Sequence, residues 1–349
     1  MKRELVSELL RLRVFASTSF NFTMKILVTG ASGFVGSHIA DRLLAAGHGV
    51  RALLRERSSE EWLHGKPIEV VRANLLDVDS LREAVSNVGA IVHVGGVTAA
   101  KNAQGFYEGN LLPTRNLLEA ARRFNPGLAR FVQCSSQTAI GPSLDGQPVT
   151  ELTPPHPITT YGKSKRAAEE ECERARNDFP VTILRLAAIY GPRDTAILTF
   201  FQTVDKGLKP LIGMRDKRIN LAHVSDVADA ALLAIEKEEA KNQTYFIGGE
   251  QHYTWREVSD LTAEILKRRG LTVKLPHAVV YTVAGFSEFF SMFRSKPSVL
   301  NWEKGRDMVQ ANWTCSVEKA KRELGYRQNI SLEDGIKDTT EWYRRNGWM

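Results

Sequence analysis

The sequence predicts an α/β protein in which helices cover both faces of a parallel sheet. From residue 24 onward, short apolar strand-like segments alternate with helix-like segments, as parallel sheets require. The glycine-rich segment Gly30–Gly36 follows the first such strand directly and opens the first helix. With 349 residues, 43% hydrophobic and 25% charged, the chain has enough material for one large domain and a smaller appendage.

The elements of the predicted sheet follow from apolar runs and helical periodicity, taken in chain order. Gly47 ends the first helix before the second strand begins. The predicted strands are residues 25–29, Val50–Leu54, Glu69–Arg72, Ala90–Val94, Arg130–Gln133 and Val181–Arg185. The predicted helices are Val35–Ala46, Asp79–Ser86, Leu111–Phe124 and Lys163–Arg176.

Residues 1–23 form an extension ahead of this pattern. Leucines among lysines and arginines fit a short amphipathic basic helix that could contact a membrane surface, and a poorly ordered tail is the alternative. The apolar run is too short for a signal peptide, and Glu4 and Glu8 count against a transit peptide. Elsewhere, the apolar segment 278–293 contains Ser287, Glu288 and Ser291, so we expect no transmembrane span.

Charge and cysteine usage exclude several classes of function. The formal net charge is +7, but basic residues alternate with acidic ones without a basic block, so we expect no nucleic-acid partner. Cys134, Cys172 and Cys315 are widely spaced, which predicts neither a disulfide framework nor a metal site. A reducing, cytoplasmic location is the simplest expectation.

The glycine-rich segment has the features of a dinucleotide cradle. Gly30 would permit the tight strand-to-helix turn, Gly33 would let the backbone approach a diphosphate, and Gly36 would let helix and strand pack closely. The N–H groups at the helix N-terminus would bind the phosphates. The spacing is GxxGxxG rather than GxGxxG.

The end of the second strand indicates which dinucleotide binds. An acidic residue there would hold the ribose hydroxyl of NAD, whereas an arginine suits the additional phosphate of NADP. The strand is followed by Arg55, then Glu56. We therefore expect NADP(H) as the preferred cofactor, with NAD(H) as the alternative.

Tyr161 and Lys165 are four residues apart on a predicted helix and so share one face. An ammonium group and a nicotinamide ring nearby would lower the pKa of the tyrosine, which could then exchange a proton with a substrate oxygen. Ser136, at the end of a predicted strand, could donate a second hydrogen bond to that oxygen. Together with the cradle, these residues predict hydride chemistry.

These motifs, together with LRLAAIYGPRD and HVSDVADAA further along, resemble the extended short-chain dehydrogenase/reductase family, also called the NAD-dependent epimerase/dehydratase family, over residues 24 to 348. The resemblance implies a Rossmann-type, doubly wound parallel sheet with a smaller mixed α/β C-terminal substrate domain. It implies a dinucleotide-binding domain at 24–190 and a mainly substrate-binding region at 191–349, with some segments returning to the core. It also implies a homodimer formed through a four-helix contact that includes the Tyr161 helix.

The resemblance assigns roles to individual residues. Ser136 is assigned rather than Ser135, because the serine of the family lies five residues before the glycine matched by Gly141. For Asn110, a local helix cap is the alternative to its place in the active-site network. The implied catalytic residues are Ser136, Tyr161, Lys165 and Asn110. The implied cofactor-binding residues are Gly30, Ser32, Gly33, Phe34, Val35, Gly36, Arg55, Asn74, Leu75, Gly95, Gly96, Tyr161, Lys165 and Ile189.

Departures from the pattern of the family bear on the substrate. Asn74 stands where an aspartate is usual beside the adenine. Ala188 and Ile219 stand where nucleotide-sugar members carry an asparagine and an arginine, although Arg215 and Arg218 are near enough for a shifted contact. These replacements weaken the nucleotide-sugar interpretation.

A strongly apolar segment runs from Leu275 through Phe286, Phe289 and Phe290 to Phe293. It resembles the apolar region of dihydroflavonol reductases and 3β-hydroxysteroid dehydrogenases; a buried helix, a dimer contact and a membrane-docking patch are the alternatives. We expect an oxidoreductase that interconverts a ketone and a secondary alcohol on a bulky, largely apolar small molecule. A nucleotide-sugar epimerase or dehydratase with tightly bound NAD is the second hypothesis, and a non-catalytic scaffold is the third.

Overall fold

The computed structural model describes residues 24–291 and 302–349, so the extension predicted for residues 1–23 lies outside the described residues. The strands are β1 Lys25–Thr29, β2 Gly49–Leu54, β3 Ile68–Arg72, β4 Ala90–His93, β5 Arg130–Ser136, β6 Val181–Leu186, β7 Ala188–Tyr190, β8 Leu208–Ile212, β9 Arg218–His223, β10 Thr244–Ile247, β11 His252–Thr254, β12 Leu271–Leu275 and β13 Asn312–Trp313. The helices are α1 Phe34–Ala45, α2 Arg82–Val85, α3 Ala103–Phe124, α4 Thr160–Ala175, α5 Leu198–Asp205, α6 Val224–Glu236, α7 Trp255–Ile265, α8 His277–Ser291, α9 Trp302–Val309, α10 Glu318–Leu324 and α11 Leu332–Arg345. Short 3-10 turns occur at Asp79–Leu81, Gln137–Ala139 and Glu238–Ala240.

The largest sheet has seven strands in the order β3-β2-β1-β4-β5-β6-β10, and every neighbouring pair is parallel. The order reverses direction between β1 and β4, which creates a crevice at the carboxyl ends of these two strands. The predicted doubly wound α/β fold is confirmed.

Two hydrophobic layers hold the helices to this sheet. Ile26 and Val28 of β1 pack in the layer that includes α1 and α6, whereas Leu27 between them packs in the layer that includes α3 and α4. All three side chains are fully buried. Because successive side chains of a strand point to opposite faces, a continuous apolar run is what a doubly covered strand requires.

Individual elements after β6 were not assigned from the sequence, and among the elements of the large sheet and the helices packed on it the following differences stand out. Strand β10 was not predicted, although it is a short apolar run that follows Asn242 in a left-handed turn. Helix α3 begins at Ala103, eight residues before the predicted start at Leu111. The predicted helix at 79–86 is a 3-10 turn followed by the single turn α2.

The remaining strands form a smaller, mixed part of the molecule. Strand β9 pairs in parallel with β7 and β13 and antiparallel with β11, and β8 pairs in parallel with β12. Helix α11 packs Ile336 and Tyr343 against Tyr190 and Phe201. The domain boundary at residue 190 stays a prediction. Within the described parts of the chain, no helix is long and apolar enough to cross a membrane.

Candidate active site

The glycine-rich segment lies between β1 and α1, at the crevice of the large sheet. Gly30 has a φ of 72°, and a Cβ atom on Gly30 would lie 2.9 Å from the Gly95 nitrogen. A Cβ on Gly36 would lie 2.2 Å from the Gly30 oxygen, so neither position accepts a side chain. Gly33 is the N-cap of α1 and provides no side-chain cap, which leaves the first N–H groups of the helix available to an anion.

This cradle fits the diphosphate of a dinucleotide, because it combines close backbone approach with a helix N-terminus that has no acidic residue in its first turn. Exposed Gly33 and half-buried Ser32, Phe34 and Val35 surround it. The residues present therefore fit the cofactor that the sequence predicts.

The loop after β4 forms the opposite wall of the crevice. The Gly95 N–H donates to Thr29 Oγ1 over 3.1 Å, and Thr29 Oγ1 is hydrogen-bonded to His93 Nδ1 at 2.6 Å. A Cβ on Gly96 would lie 2.7 Å from Asn110 Oδ1. The two glycines thus keep this loop close to β1 and α3.

Asn110 ties that loop to two helices. Its Oδ1 accepts the Val97 N–H over 2.9 Å, and its Nδ2 donates to the Val97 oxygen at 3.1 Å and to Ser164 Oγ at 2.9 Å. Asn110 lies well inside α3, whose N-cap is Asn102, so the helix-cap alternative for Asn110 is wrong. The structure places Asn110 in a hydrogen-bond network beside α4, and its catalytic role stays a prediction.

The residues predicted to hold the adenosine half lie at the far end of the crevice. Arg55 follows β2 directly and is exposed. Asn74 Oδ1 accepts the Leu76 N–H over 3.0 Å, and the Leu75 oxygen accepts from Asn116 Nδ2 over 3.0 Å. Both residues therefore belong to an ordered turn after β3. Ile189 is half-buried in β7 and packs against the hydrophobic layer that includes α1.

Ser136 and Tyr161 meet at the carboxyl end of β5. Ser136 lies close enough to the Tyr161 hydroxyl to lower its pKa. The Ser136 Oγ accepts from the Thr138 nitrogen at 3.2 Å and from Thr138 Oγ1 at 2.9 Å. Ser135 instead donates to the buried Glu169 carboxylate over 2.6 Å. Of the two serines, Ser136 is the one beside the tyrosine.

Lys165 is buried one turn after Tyr161, and its Nζ donates to the Cys134 backbone oxygen over 2.7 Å. Burial lowers the pKa of Lys165. Burial raises the pKa of Tyr161 to about 12; the hydrogen bond from Ser136 opposes this shift, and the charge of Asp307 adds to it. In the protein alone, desolvation of the hydroxyl dominates and the pKa of Tyr161 rises; the lowering expected from Lys165 together with a nicotinamide ring stays a prediction.

A buried ion pair centred on Glu169 fixes the helix that carries Tyr161 and Lys165. Glu169, fully buried on α4, accepts from Arg185 NH2 over 2.9 Å and from Arg166 NH1 over 3.1 Å. Glu169 lies one turn after Lys165 on α4. Its carboxylate contacts Ser135 of β5 and Arg185 of β6, and so joins α4 to these two neighbouring strands. Sequence reasoning missed Glu169, although its spacing from Lys165 was visible.

Helix α9 contacts the N-terminus of α4 and carries two carboxylates, Glu303 and Asp307. Glu303 accepts from the Thr160 N–H over 3.0 Å and from Thr160 Oγ1 over 2.5 Å. Asp307 is nearly buried, with burial raising its pKa to about 6. Nothing local in the sequence pointed to either residue, because α9 lies more than a hundred residues after Tyr161.

The two positions at which the sequence departs from the nucleotide-sugar pattern, Ala188 and Ile219, carry apolar side chains. Ala188 is half-buried in β7, and Ile219 is 7% exposed in β9. Arg215 and Arg218 are exposed beside them. Helix α8 buries Ala284 and exposes 49% of Val283. The side chains of Phe286, Phe289 and Phe290, and all of Phe293, lie outside the described residues.

Comparison with known proteins places the chain among nicotinamide-dependent enzymes. The profile of the NAD dependent epimerase/dehydratase family matches residues 26–248. The chain is 29% identical to the ceramide reductase of Caulobacter vibrioides over 325 residues, covering 93% of this chain and 96% of the relative. It is 28% identical to a putative dihydroflavonol 4-reductase of Synechocystis over 341 residues, covering 92% and 95% of the two chains.

A solved structure supports the same architecture. The UDP-glucose 4-epimerase of Thermotoga maritima, solved with UDP-glucose, is 25% identical with a TM-score of 0.75, covering 93% of this chain and 99% of the epimerase. The fold is therefore shared by relatives that are named as reductases and as epimerases.

Proposed function

This chain is an enzyme of the NAD-dependent epimerase/dehydratase family, and from that premise we propose that it reduces a ketone to a secondary alcohol on a bulky, largely apolar small molecule. The observation that carries the proposal is that Ser136, at the carboxyl end of β5, lies close enough to the Tyr161 hydroxyl to lower its pKa, at the same edge of the sheet as the glycine cradle. The reverse oxidation uses the same groups.

Each residue has a distinct part in this proposal. Ser136 Oγ donates a hydrogen bond to the carbonyl oxygen, and Tyr161 transfers its hydroxyl proton to that oxygen as the alcohol forms. A bound reduced nicotinamide would supply the hydride for the reduction. Lys165 would hold the nicotinamide ribose, and Asn110 joins the loop at Val97 to helix α4 through its hydrogen bonds.

Tyr161 can supply the proton that the reduction consumes. Burial raises its pKa to about 12, so the hydroxyl is protonated at neutral pH. An oxidation would need the tyrosinate, whose pKa a positively charged nicotinamide ring would lower.

Apolar residues support the substrate class. Ala188 and Ile219 offer no polar side-chain group to a sugar or phosphate, and α8 exposes Val279 and Val283. One relative is named a ceramide reductase, and a ceramide is bulky and largely apolar; another is named a putative dihydroflavonol 4-reductase, and a dihydroflavonol is a bulky polycyclic molecule.

We propose NADP(H) as the preferred dinucleotide, because Arg55 stands at the end of β2 where an acidic residue would select NAD. We further propose a cytoplasmic homodimer formed through α3 and α4. Three buried free cysteines are consistent with a reducing compartment.

The proposal is tested with Tyr161→Phe, which removes only the hydroxyl. We expect turnover of an apolar ketone with NADPH to fall by a factor of about a hundred or more, while the Kd for NADPH changes less than about threefold. Tyr245→Phe is the matched control, because it removes a buried tyrosine hydroxyl that donates to the Glu239 oxygen elsewhere in the sheet. Retained turnover in Tyr161→Phe contradicts the assignment.

The second candidate is a nucleotide-sugar epimerase, favoured by the likeness to the Thermotoga maritima enzyme and by exposed Arg215 and Arg218. A thermal-shift series with UDP- and GDP-sugars separates the two candidates. A ligand present at a hundred times its Kd stabilises the folded state by about 2.7 kcal/mol. Stabilisation by a nucleotide sugar, with NAD recovered from the purified protein, would favour the epimerase.

A further inference from the structure

Helix α9 is fastened to the N-terminus of the helix that carries Tyr161. The Glu303 carboxylate accepts the Thr160 N–H and hydroxyl, and Tyr161 is the next residue along α4. Asp307 lies four residues after Glu303 and so shares its face of α9. The charge of Asp307 reaches the Tyr161 hydroxyl and raises its pKa, as a carboxylate a short distance away does.

Asp307 has an unused hydrogen-bond acceptor. The residue is 9% exposed, and its Oδ1 is buried with no hydrogen-bond partner among the described residues. Its Oδ2 lies 4.0 Å from Lys304 Nζ. A buried carboxylate oxygen without a donor costs folding free energy, so such an atom beside a reactive tyrosine points to a donor that arrives with a ligand.

We propose that Asp307 Oδ1 accepts a hydrogen bond from a hydroxyl or amide N–H of the substrate, next to the carbonyl that Tyr161 protonates. The inference rests on the proposed ketone reduction and narrows it to ketones with a neighbouring donor. Asp307 is then a specificity-determining residue of the site.

The surrounding charges favour a neutral donor. Lys304 and Arg306 already oppose the negative charge of Asp307, so a substrate cation is not required for neutralisation. A substrate phosphate at this position would face both Glu303 and Asp307, and like charges at close range are strongly unfavourable.

The test compares a long-chain α-acylamino ketone with the dialkyl ketone of the same chain length. We expect the wild type to prefer the acylamino ketone in kcat/KM by about tenfold or more. Asp307→Leu should abolish the preference, and Asp307→Asn, which keeps an acceptor oxygen, should retain part of it. Asp260→Asn, an exposed carboxylate paired with Lys209, is the control.

A second measurement separates this inference from the proposed function. Calorimetric binding of both ketones to the protein saturated with NADP⁺ reports recognition without turnover. If the wild type reduces neither ketone, the proposed function is overturned. If the acylamino ketone does not bind better than the dialkyl ketone, or if Asp307→Leu leaves the difference in affinity unchanged, the role of Asp307 is overturned.

The pH profile of kcat/KM gives a further test of Asp307, because a residue with only a structural role would leave this profile unchanged. Asp307→Asn removes a negative charge facing Tyr161 on α4, with Glu303, Lys304 and Arg306 on its own helix unchanged. Tyrosinate then forms more easily, so the alkaline limb of kcat/KM for reduction should move to lower pH. An unmoved limb contradicts the placement of Asp307 beside Tyr161.

Discussion

The crevice has a charged end, marked by exposed Arg55, and a desolvated end, marked by Tyr161 and Lys165. At the desolvated end, burial raises the pKa of Tyr161 and lowers the pKa of Lys165. Both shifts favour the neutral form of the group, which is the effect of a low local dielectric. The residue types were evident in the sequence, but the direction of the Tyr161 shift depends on burial, which only packing determines.

At the charged end, Arg55 is expected to select the phosphorylated dinucleotide. Arg55→Ala should raise the Kd for NADPH by about tenfold or more and leave the Kd for NADH within about threefold, because only NADPH offers a phosphate for a charge-assisted hydrogen bond. Fluorescence titration with the two dinucleotides measures this. Arg57→Ala, also exposed and two residues away, is the control.

Equal loss of affinity for both dinucleotides in Arg55→Ala would indicate that Arg55 does not read the phosphate. Recovery of NAD from the purified protein would contradict the preference directly and would favour the epimerase.

Among the elements, α3 shows how tertiary contacts extend a helix beyond its local signal. Gly105 and Gly109 are poor helix formers, so periodicity placed the start at Leu111. A Cβ on Gly109 would lie 2.4 Å from Val97 Cγ2, so the glycine permits α3 to pack on the loop after β4. The Asn102 side chain caps the first turn by accepting the Gly105 N–H over 2.9 Å.

Helix α9 is expected to stabilise the N-terminus of α4 through Glu303. Glu303→Ala removes a carboxylate that accepts two donors of Thr160 and should lower the free energy of unfolding by about 1.5–3 kcal/mol. Urea unfolding measures the change. Glu318→Ala, an exposed glutamate at the start of α10, should change stability by less than about 0.5 kcal/mol.

If the stability of Glu303→Ala equals that of the wild type, the contact between α9 and α4 does not contribute to folding. Loss of kcat without loss of stability would show that Glu303 acts mainly by orienting Tyr161.

The whole molecule is expected to be a homodimer through the outer faces of α3 and α4. Leu112 is half-buried on the side of α3 opposite Asn110, near the ion pair between Arg115 and Glu171 that joins the two helices. Leu112→Arg should convert a particle of twice the 39.0 kDa chain mass to single chains, because a charge in such a contact is left without a partner.

Light scattering after size exclusion measures the mass. Leu152→Arg, at a position that is 93% exposed, is the control and should keep the mass of the wild type. A wild type that elutes as single chains would contradict the proposal.

The amino-acid sequence by itself determined the periodic elements, the glycine cradle and the four-residue spacing of Tyr161 and Lys165, because these depend on neighbours within a few turns. Only the tertiary structure decided that β10 completes the sheet beside β6, that Ser135 donates to Glu169 while Ser136 lies near Tyr161, and that Asp307 of α9 comes close enough for its charge to raise the pKa of Tyr161. Those contacts join residues far apart in the chain. Their positions follow from how whole layers pack, which no local periodicity encodes.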